Sequence, residues 1–247
     1  MKTLLVYTGL DKAFDHEHSI LVKIQIDNHF DLGSSVKDLI LVTDFPFEYR
    51  GVKSVGITDG IYYTFDKSSN KIAIIIELIK NKVLKENEVY WYHDFDVYQL
   101  DNFNLSDVNL DSADLGITPY GYKPEWNLGS FFFTVNALNL FEQIHNDILK
   151  NRKSANRCDE KALRRLIIKK KIKPVNIDVR FNLTKRCIQT NYRNAQKPIL
   201  ALHFHPWDKD IMMPDTALNM FMYGKNRLKK PLMNQRLIEV FKSHNVT

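Results

Sequence analysis

The segment from Val89 to Leu100, Val-Tyr-Trp-Tyr-His-Asp-Phe-Asp-Val-Tyr-Gln-Leu, joins an apolar, β-prone run to two carboxylates, Asp94 and Asp96. A solvated acidic turn needs no such flank, so the run reads as a buried strand that ends at a polar site. In an extended chain residues i and i+2 face one side, which predicts that Asp94 and Asp96 converge while Phe95 enters the core. Two hard oxygen ligands on one face suit Mg2+ or Mn2+, ions that keep waters and bridge to phosphates. The partner that such a pair implies is a diphosphate.

Around that segment the chain alternates strand and helix. Leu4 to Thr8 reads as a buried first strand ending at Gly9, and Glu17 to Phe30 as a helix with Ile20, Leu21, Ile24 and Phe30 near one face. Leu39 to Thr43 is a second strand and Val52 to Ile57 a short third, while Ser68-Ser69-Asn70 signals the N-cap of a helix from Lys71 to Val83. This order predicts an α/β fold, a mixed but mostly parallel sheet flanked by crossover helices, with ligands gathered at the carboxyl ends of the strands. Thr8, Gly9, Thr43, Asp44, Asp94 and Asp96 fall at such ends.

The second half reads as strands Leu115 to Thr118 and Ser130 to Val135 around a loop from Pro119 to Leu128, followed by helices Asn136 to Lys150 and Asp159 to Lys171. Ile199 to His203 is a late strand, and Thr216 to Met222 and Leu232 to Phe241 are helical candidates. No repeat, low-complexity tract or Gly/Ser linker divides the 247 residues, so a single domain is predicted.

Composition narrows the function classes. A 44% hydrophobic content supports a substantial core. Cys158 and Cys187 form neither a disulfide framework nor a zinc ribbon, and the first residues are apolar too briefly for a secretion signal. No stretch approaches a transmembrane helix, so a soluble, cytoplasmic protein is expected. The net charge of +6 is uneven: eleven Lys or Arg against Asp159 and Glu160 between Lys150 and Lys173 make a local +9, leaving −3 for the rest. Lys225 to Lys242 adds six basic residues against Glu239. Such concentration suits a polyanionic partner or a solvated helix face.

From about Lys2 to Lys209 the chain resembles GT-A-fold glycosyltransferases, especially the retaining family 8-like enzymes, through Asp94-Phe95-Asp96 and the late segment His203-Phe204-His205-Pro206-Trp207-Asp208-Lys209. The resemblance implies that Asp94 and Asp96 hold Mn2+ or Mg2+, that His203 supplies a third ligand with His205 as its rival on the same strand face, and that Lys209 binds phosphate. Pro206 stands where the family has glycine. It implies further that 1–100 is a nucleotide-binding half, 101–210 an acceptor and catalytic half and 211–247 a helical basic extension.

Softer matches extend the candidate site. Ser69-Asn70-Lys71 is similar to a Ser-Lys near the nucleotide, so Lys71 either meets the donor or begins a helix. Trp126-Asn127-Leu128-Gly129-Ser130 looks like a segment beside the sugar, with Asn127 for hydroxyls and Gly129 for the turn. Asp159-Glu160-Lys161-Ala162-Leu163 is similar to an Asp-Gln-x-x-Leu helix start, with glutamate replacing glutamine. Asp159, Glu160 and Asn127 are therefore the catalytic candidates, capping being the other role open to the two acids. Thr8, Gly9 and Asp44 are expected to border the base and ribose of a donor, with Tyr7 or Phe45 for stacking and UDP as the nucleotide. The reaction implied is sugar transfer from a nucleotide-sugar, with retention.

The acceptor stays open between a hydroxylated DNA base, stacked by Tyr120, Tyr122 or Trp126, and an anionic glycolipid or lipopolysaccharide met by the apolar side of the tail, Leu232, Leu237, Ile238 and Phe241. A metal-dependent nuclease or nucleotidyltransferase, and a non-catalytic nucleic-acid-binding protein, are the other classes to separate.

Overall fold

Leu4, Leu5, Leu41 and Val42 are almost wholly buried, as apolar runs without a polar face must be when helices cover both sides of a sheet. The computed structural model describes residues 1–9, 11–57, 63–108, 110, 113–121, 125–154, 158–204 and 217–246. In chain order these form β1 (Lys2–Tyr7), α1 (His16–Asp31), β2 (Leu39–Thr43), β3 (Glu48–Tyr49), β4 (Val52–Lys53), β5 (Val55–Gly56), α2 (Asn70–Lys80), β6 (Tyr90–His93) and β7 (Val97–Gln99). The second half adds α3 (Leu105–Val108), β8 (Leu115–Pro119), β9 (Trp126–Phe133), α4 (Leu138–Lys150), α5 (Asp159–Ile168) and β10 (Val175–Asn176). It closes with β11 (Leu183–Thr184), α6 (Ile188–Asn194), β12 (Ala201–His203), α7 (Ala217–Met222) and α8 (Gln235–Ser243).

Among the described residues the large sheet has the order β10-β8-β9-β6-β1-β2-β5. β1 runs parallel to β2 and β6, β2 to β5 and β10 to β8, while β9 runs antiparallel between β8 and β6. The expected mostly parallel α/β sheet is thus present. Leu4 and Leu5 show how one strand serves two layers: Leu4 joins the core under α2, α4 and α5, and Leu5 the core under α1, α7 and α8.

A smaller sheet, β11-β12-β7, stands beside the first. Asp94, Phe95 and Asp96 are not part of either sheet. They form a tight turn, closed by the Val97 N–H donating to the Asp94 carbonyl at 3.1 Å, through which the chain leaves β6 for β7. The strand alternation expected for Asp94 and Asp96 is therefore replaced by a turn, although Phe95 does enter the core. Gln25 of α1 secures this turn, its Nε2 donating to the carbonyls of Phe95 and Val97 at 2.8 Å each. Asn28, one turn further on, donates to the Gln99 carbonyl at 3.1 Å, and Arg236 of α8 donates to the same oxygen at 3.1 Å.

Four local expectations are corrected. The Ser69 hydroxyl does not cap α2; it donates to Asp66 at 2.6 Å and accepts the Asp159 N–H at 2.9 Å, tying α2 to α5. The segment Val52 to Ile57 divides into β4 and β5, which pair with different strands. β9 already begins at Trp126, because Asn127 and Trp126 pair with Thr118 and Pro119 across a bulge, so the loop before it is shorter than Pro119 to Leu128. Leu237 and Phe241 are fully buried, and Leu232 and Ile238 pack against the same core, so the apolar side of the tail faces α1 and not a membrane. No helix among the described residues is long and apolar enough to cross a membrane.

Candidate active site

Parallel pairing brings the carboxyl ends of β1, β2 and β6 to one edge of the large sheet, with Tyr7 beside Thr43 and Leu4 beside Tyr92. β9 arrives from the other direction, and the Gly129 carbonyl accepts the Asp94 N–H at 2.8 Å. In the small sheet β12 pairs His203 with Val97, and the Phe204 N–H donates to the Asp96 carbonyl at 2.9 Å. Register alone therefore sets His203 against the Asp-Phe-Asp turn. Asp94, Asp96 and His203 each offer a ligand atom, and these atoms lie within 4.8 Å of one another.

The fit to a cation can be tested on the surroundings. The Asp96 and His203 side chains are nearly buried, and His203 Nε2 lies 3.3 Å from Asp96 Oδ2. Burial opposes protonation of the ring, but Asp96, and beyond it Asp94 and Glu160, raise its pKa above the ordinary histidine value. The carboxylates thus attract positive charge to this spot. Gly129 leaves the space open: a Cβ there would overlap the His203 ring and stand 3.0 Å from Asp94 Oδ2. Two carboxylates and an imidazole around an uncrowded point fit a divalent cation.

Asp94 is held from two more sides. Tyr92 OH donates to its Oδ1 at 2.6 Å, and Lys71 Nζ lies 3.2 Å from the same oxygen. Lys71 also reaches Asp159 Oδ2 at 3.6 Å. Burial disfavours the charged ammonium, yet Asp94, Asp159 and Glu160 outweigh it and raise the lysine pKa. Lys71 does lie in the first turn of α2, but its side chain faces the acids.

α5, which Lys71 joins to Asp94, begins with Asp159 and Glu160. Asp159 is 4% exposed, and burial, only partly offset by Lys71, raises its carboxyl to about 7. Glu160 Oε1 accepts from Tyr120 OH at 2.9 Å and from the Leu128 N–H at 3.1 Å, while burial raises its pKa as well. All these acids border one cavity of about 720 Å3, together with Lys71 and His203.

The other sequence candidates fall into three groups. Thr8 and Gly9 border the same cavity, as does Tyr7, whose ring lies 4.6 Å from Phe14 and 4.7 Å from His18 between centroids. Asp44 and Asn127 do not line it. Asp44 accepts the Gly9 N–H at 3.2 Å and pairs with Lys12, and Asn127 lies fully buried beneath Gly129, whose N–H it accepts at 2.6 Å. His205 and Lys209, like Tyr122, lie outside the described residues.

Sequence reasoning missed Gln25, Tyr92 and Asn182. Gln25, Asn28 and His29 form a polar i, i+3, i+4 stripe among the otherwise apolar buried residues of α1, a sign that the stripe meets buried polar groups. Asn182, between Phe181 and Leu183, accepts from His203 Nδ1 at 3.0 Å.

No family model matches the sequence, and no curated protein matches it by sequence. Solved structures do match its fold. One is a glycosyltransferase involved in the glycosylation of the major capsid of PBCV-1, at 12% identity and TM-score 0.51 over 82% of this chain and 93% of that one. The galactosyltransferase LgtC, as an active-site mutant, matches at 12% identity and TM-score 0.58 over 98% of this chain and 96% of its own. The glycosyltransferase GlyE of Streptococcus pneumoniae TIGR4 matches at 15% identity and TM-score 0.57 over 99% of this chain and 64% of GlyE. The chain has the GT-A glycosyltransferase fold.

Proposed function

We propose that this chain is a metal-dependent glycosyltransferase that moves a sugar from a nucleotide-diphosphate donor, a UDP-sugar first among them, to an acceptor hydroxyl with retention. The observation that carries the reading is one cavity bordered both by a group able to hold a cation, Asp94, Asp96 and His203, and by a second pair of acids, buried Asp159 and half-buried Glu160.

Breaking a sugar–diphosphate bond develops negative charge on the leaving phosphate and positive charge at the anomeric carbon. Asp94, Asp96 and His203 would hold Mn2+ or Mg2+, which when bound supplies Lewis-acid stabilisation of the leaving diphosphate. Lys71 keeps a fixed positive charge beside Asp94 and so lowers the repulsion between the acids and an incoming diphosphate. Glu160, fixed through one oxygen by Tyr120 and Leu128, presents carboxylate charge towards the sugar and favours an oxocarbenium-like centre. Asp159, held by Lys71 and the Ser69 hydroxyl, holds a sugar hydroxyl or adds to that charge. Thr8 and Gly9 border the nucleoside end, where the Tyr7 ring stacks the base.

For the acceptor, the arrangement favours a sugar hydroxyl over a DNA base. The basic run is partly consumed in ion pairs: Lys161 and Arg164 with Glu125, and Arg165 with Asp147. Lys169, Lys170 and Lys171 follow the far end of α5, roughly 15 Å of helical rise from Glu160. Among the described residues, Arg186, beside the Tyr120 ring, borders the cavity together with Lys67 and Lys71.

The test is Mn2+-dependent hydrolysis of a panel of nucleotide-sugars by wild type and Asp96→Ala. Cleavage of one donor by wild type alone is the expected result. Absence of both Mn2+-dependent hydrolysis and Mn2+-dependent donor binding would overturn the proposal in favour of a nuclease or a non-catalytic role.

A further inference from the structure

His203 is tied to the fold by a buried polar chain whose direction can be read from one end. The Gly129 N–H can only donate, so the Asn127 atom 2.6 Å away is the amide oxygen. That oxygen also lies 3.0 Å from an amide atom of Asn182, which must then be the donor Nδ2; the same Nδ2 donates to Thr118 Oγ1 at 2.8 Å. The remaining amide atom of Asn182 is its oxygen, and it faces His203 Nδ1 at 3.0 Å. An amide oxygen cannot donate, so Nδ1 carries the hydrogen. A neutral imidazole has one N–H, which leaves the lone pair on Nε2, the atom 3.3 Å from Asp96 Oδ2.

Each link of the chain is buried: Asn127, Asn182 and His203 are 0%, 1% and 3% exposed. Asn182 is delivered by the backbone, since it precedes β11 and β11 pairs Thr184 with His203. We propose that Asn182 is a positioning residue for the metal centre, holding His203 in the Nδ1–H tautomer and aiming the Nε2 lone pair at the cation between Asp94 and Asp96. The proposal rests on the metal-dependent reading above. It explains why a side chain remote from the cavity should govern cation affinity, since partners of this kind fix ring orientation and ligand basicity.

Two measurements test it. The first is nitrogen NMR of the His203 ring in metal-free protein at alkaline pH, where the ring is neutral; wild type is expected to show the Nδ1–H tautomer and Asn182→Ala to lose that preference. The second is Mn2+ titration followed by electron paramagnetic resonance. Asn182→Ala is expected to bind Mn2+ about 10- to 100-fold more weakly, and Asn182→Asp, which keeps an acceptor for Nδ1–H, to recover most of that loss. A wild-type ring in the Nε2–H tautomer, or unchanged Mn2+ affinity in Asn182→Ala, would overturn the proposal. Should wild type bind no Mn2+ at all, the metal reading falls, and the tautomer measurement, which needs no metal and no variant, still decides the role of Asn182.

Discussion

The ammonium of Lys71 lies 3.6 Å from the carboxylate of Asp159, and both side chains are more than nine-tenths buried. Asp94 shares the same lysine, so one cation serves two acids on different elements. Burial raises the Asp159 carboxyl to about 7, and the shared lysine offsets that only in part.

A pH dependence of stability follows. Because the folded-state value is raised, the folded protein keeps a proton that the unfolded chain has already lost between 3.8 and about 7. Stability from this group is complete below 3.8 and is lost as the pH rises towards about 7. Urea unfolding of wild type and Asp159→Asn across that range should show the variant gaining on wild type as pH increases. Parallel curves would count against the assignment.

Glu160→Gln removes a charge while keeping an oxygen that can accept from Tyr120 and Leu128. If the charge acts on the transition state, kcat for donor hydrolysis falls by about 10²- to 10³-fold with little change in KM. A rise in KM at unchanged kcat would place Glu160 in donor binding instead.

Gly129→Ala puts a methyl group against the His203 ring, 2.9 Å from Asn127 Oδ1 and 3.0 Å from Asp94 Oδ2. The expected cost to stability is about 1–3 kcal/mol, as for other overpacked sites. Mn2+ affinity should fall by more than the stability loss explains, because the displaced groups are two of the three proposed ligands. Calorimetric melting and Mn2+ titration on the same samples separate the two effects.

Replacing Lys169, Lys170 and Lys171 by glutamine removes positive charge beyond the C-terminal end of α5, far from the cavity. Retention on a polyanion column should weaken and become less salt-sensitive, while donor hydrolysis stays as in wild type. A parallel loss of hydrolysis would show that the run reaches the site.

The fold was legible where burial is one-sided or complete. The apolar run Leu39–Thr43 and the helix around Leu21 and Ile24 lie within a residue or two of their expected bounds, because hydrophobic period decides them. α6 escaped notice: its sequence Ile-Gln-Thr-Asn-Tyr-Arg-Asn has no apolar period, and tertiary contacts hold it. In the site, the pairing of Asp94 with Asp96 was visible but its cause was not. Two residues apart in a strand and two apart in a turn look alike in one dimension, and the Gln25 hydrogen bonds that select the turn come from a helix 70 residues earlier. Asn182 carried no motif, since its role depends on a neighbouring strand's register.

β7 closes the small sheet at its outer side, and the carbonyls of Phe95, Val97 and Gln99, together with Leu100, accept from Gln25, Asn28 and Arg236. An edge strand normally offers such oxygens to any incoming chain and so invites edge-to-edge aggregation. Here the helices have already taken them. Gln25, which secures the Asp94–Asp96 turn, thereby also joins Asn28 and Arg236 in blunting this sheet edge against self-association.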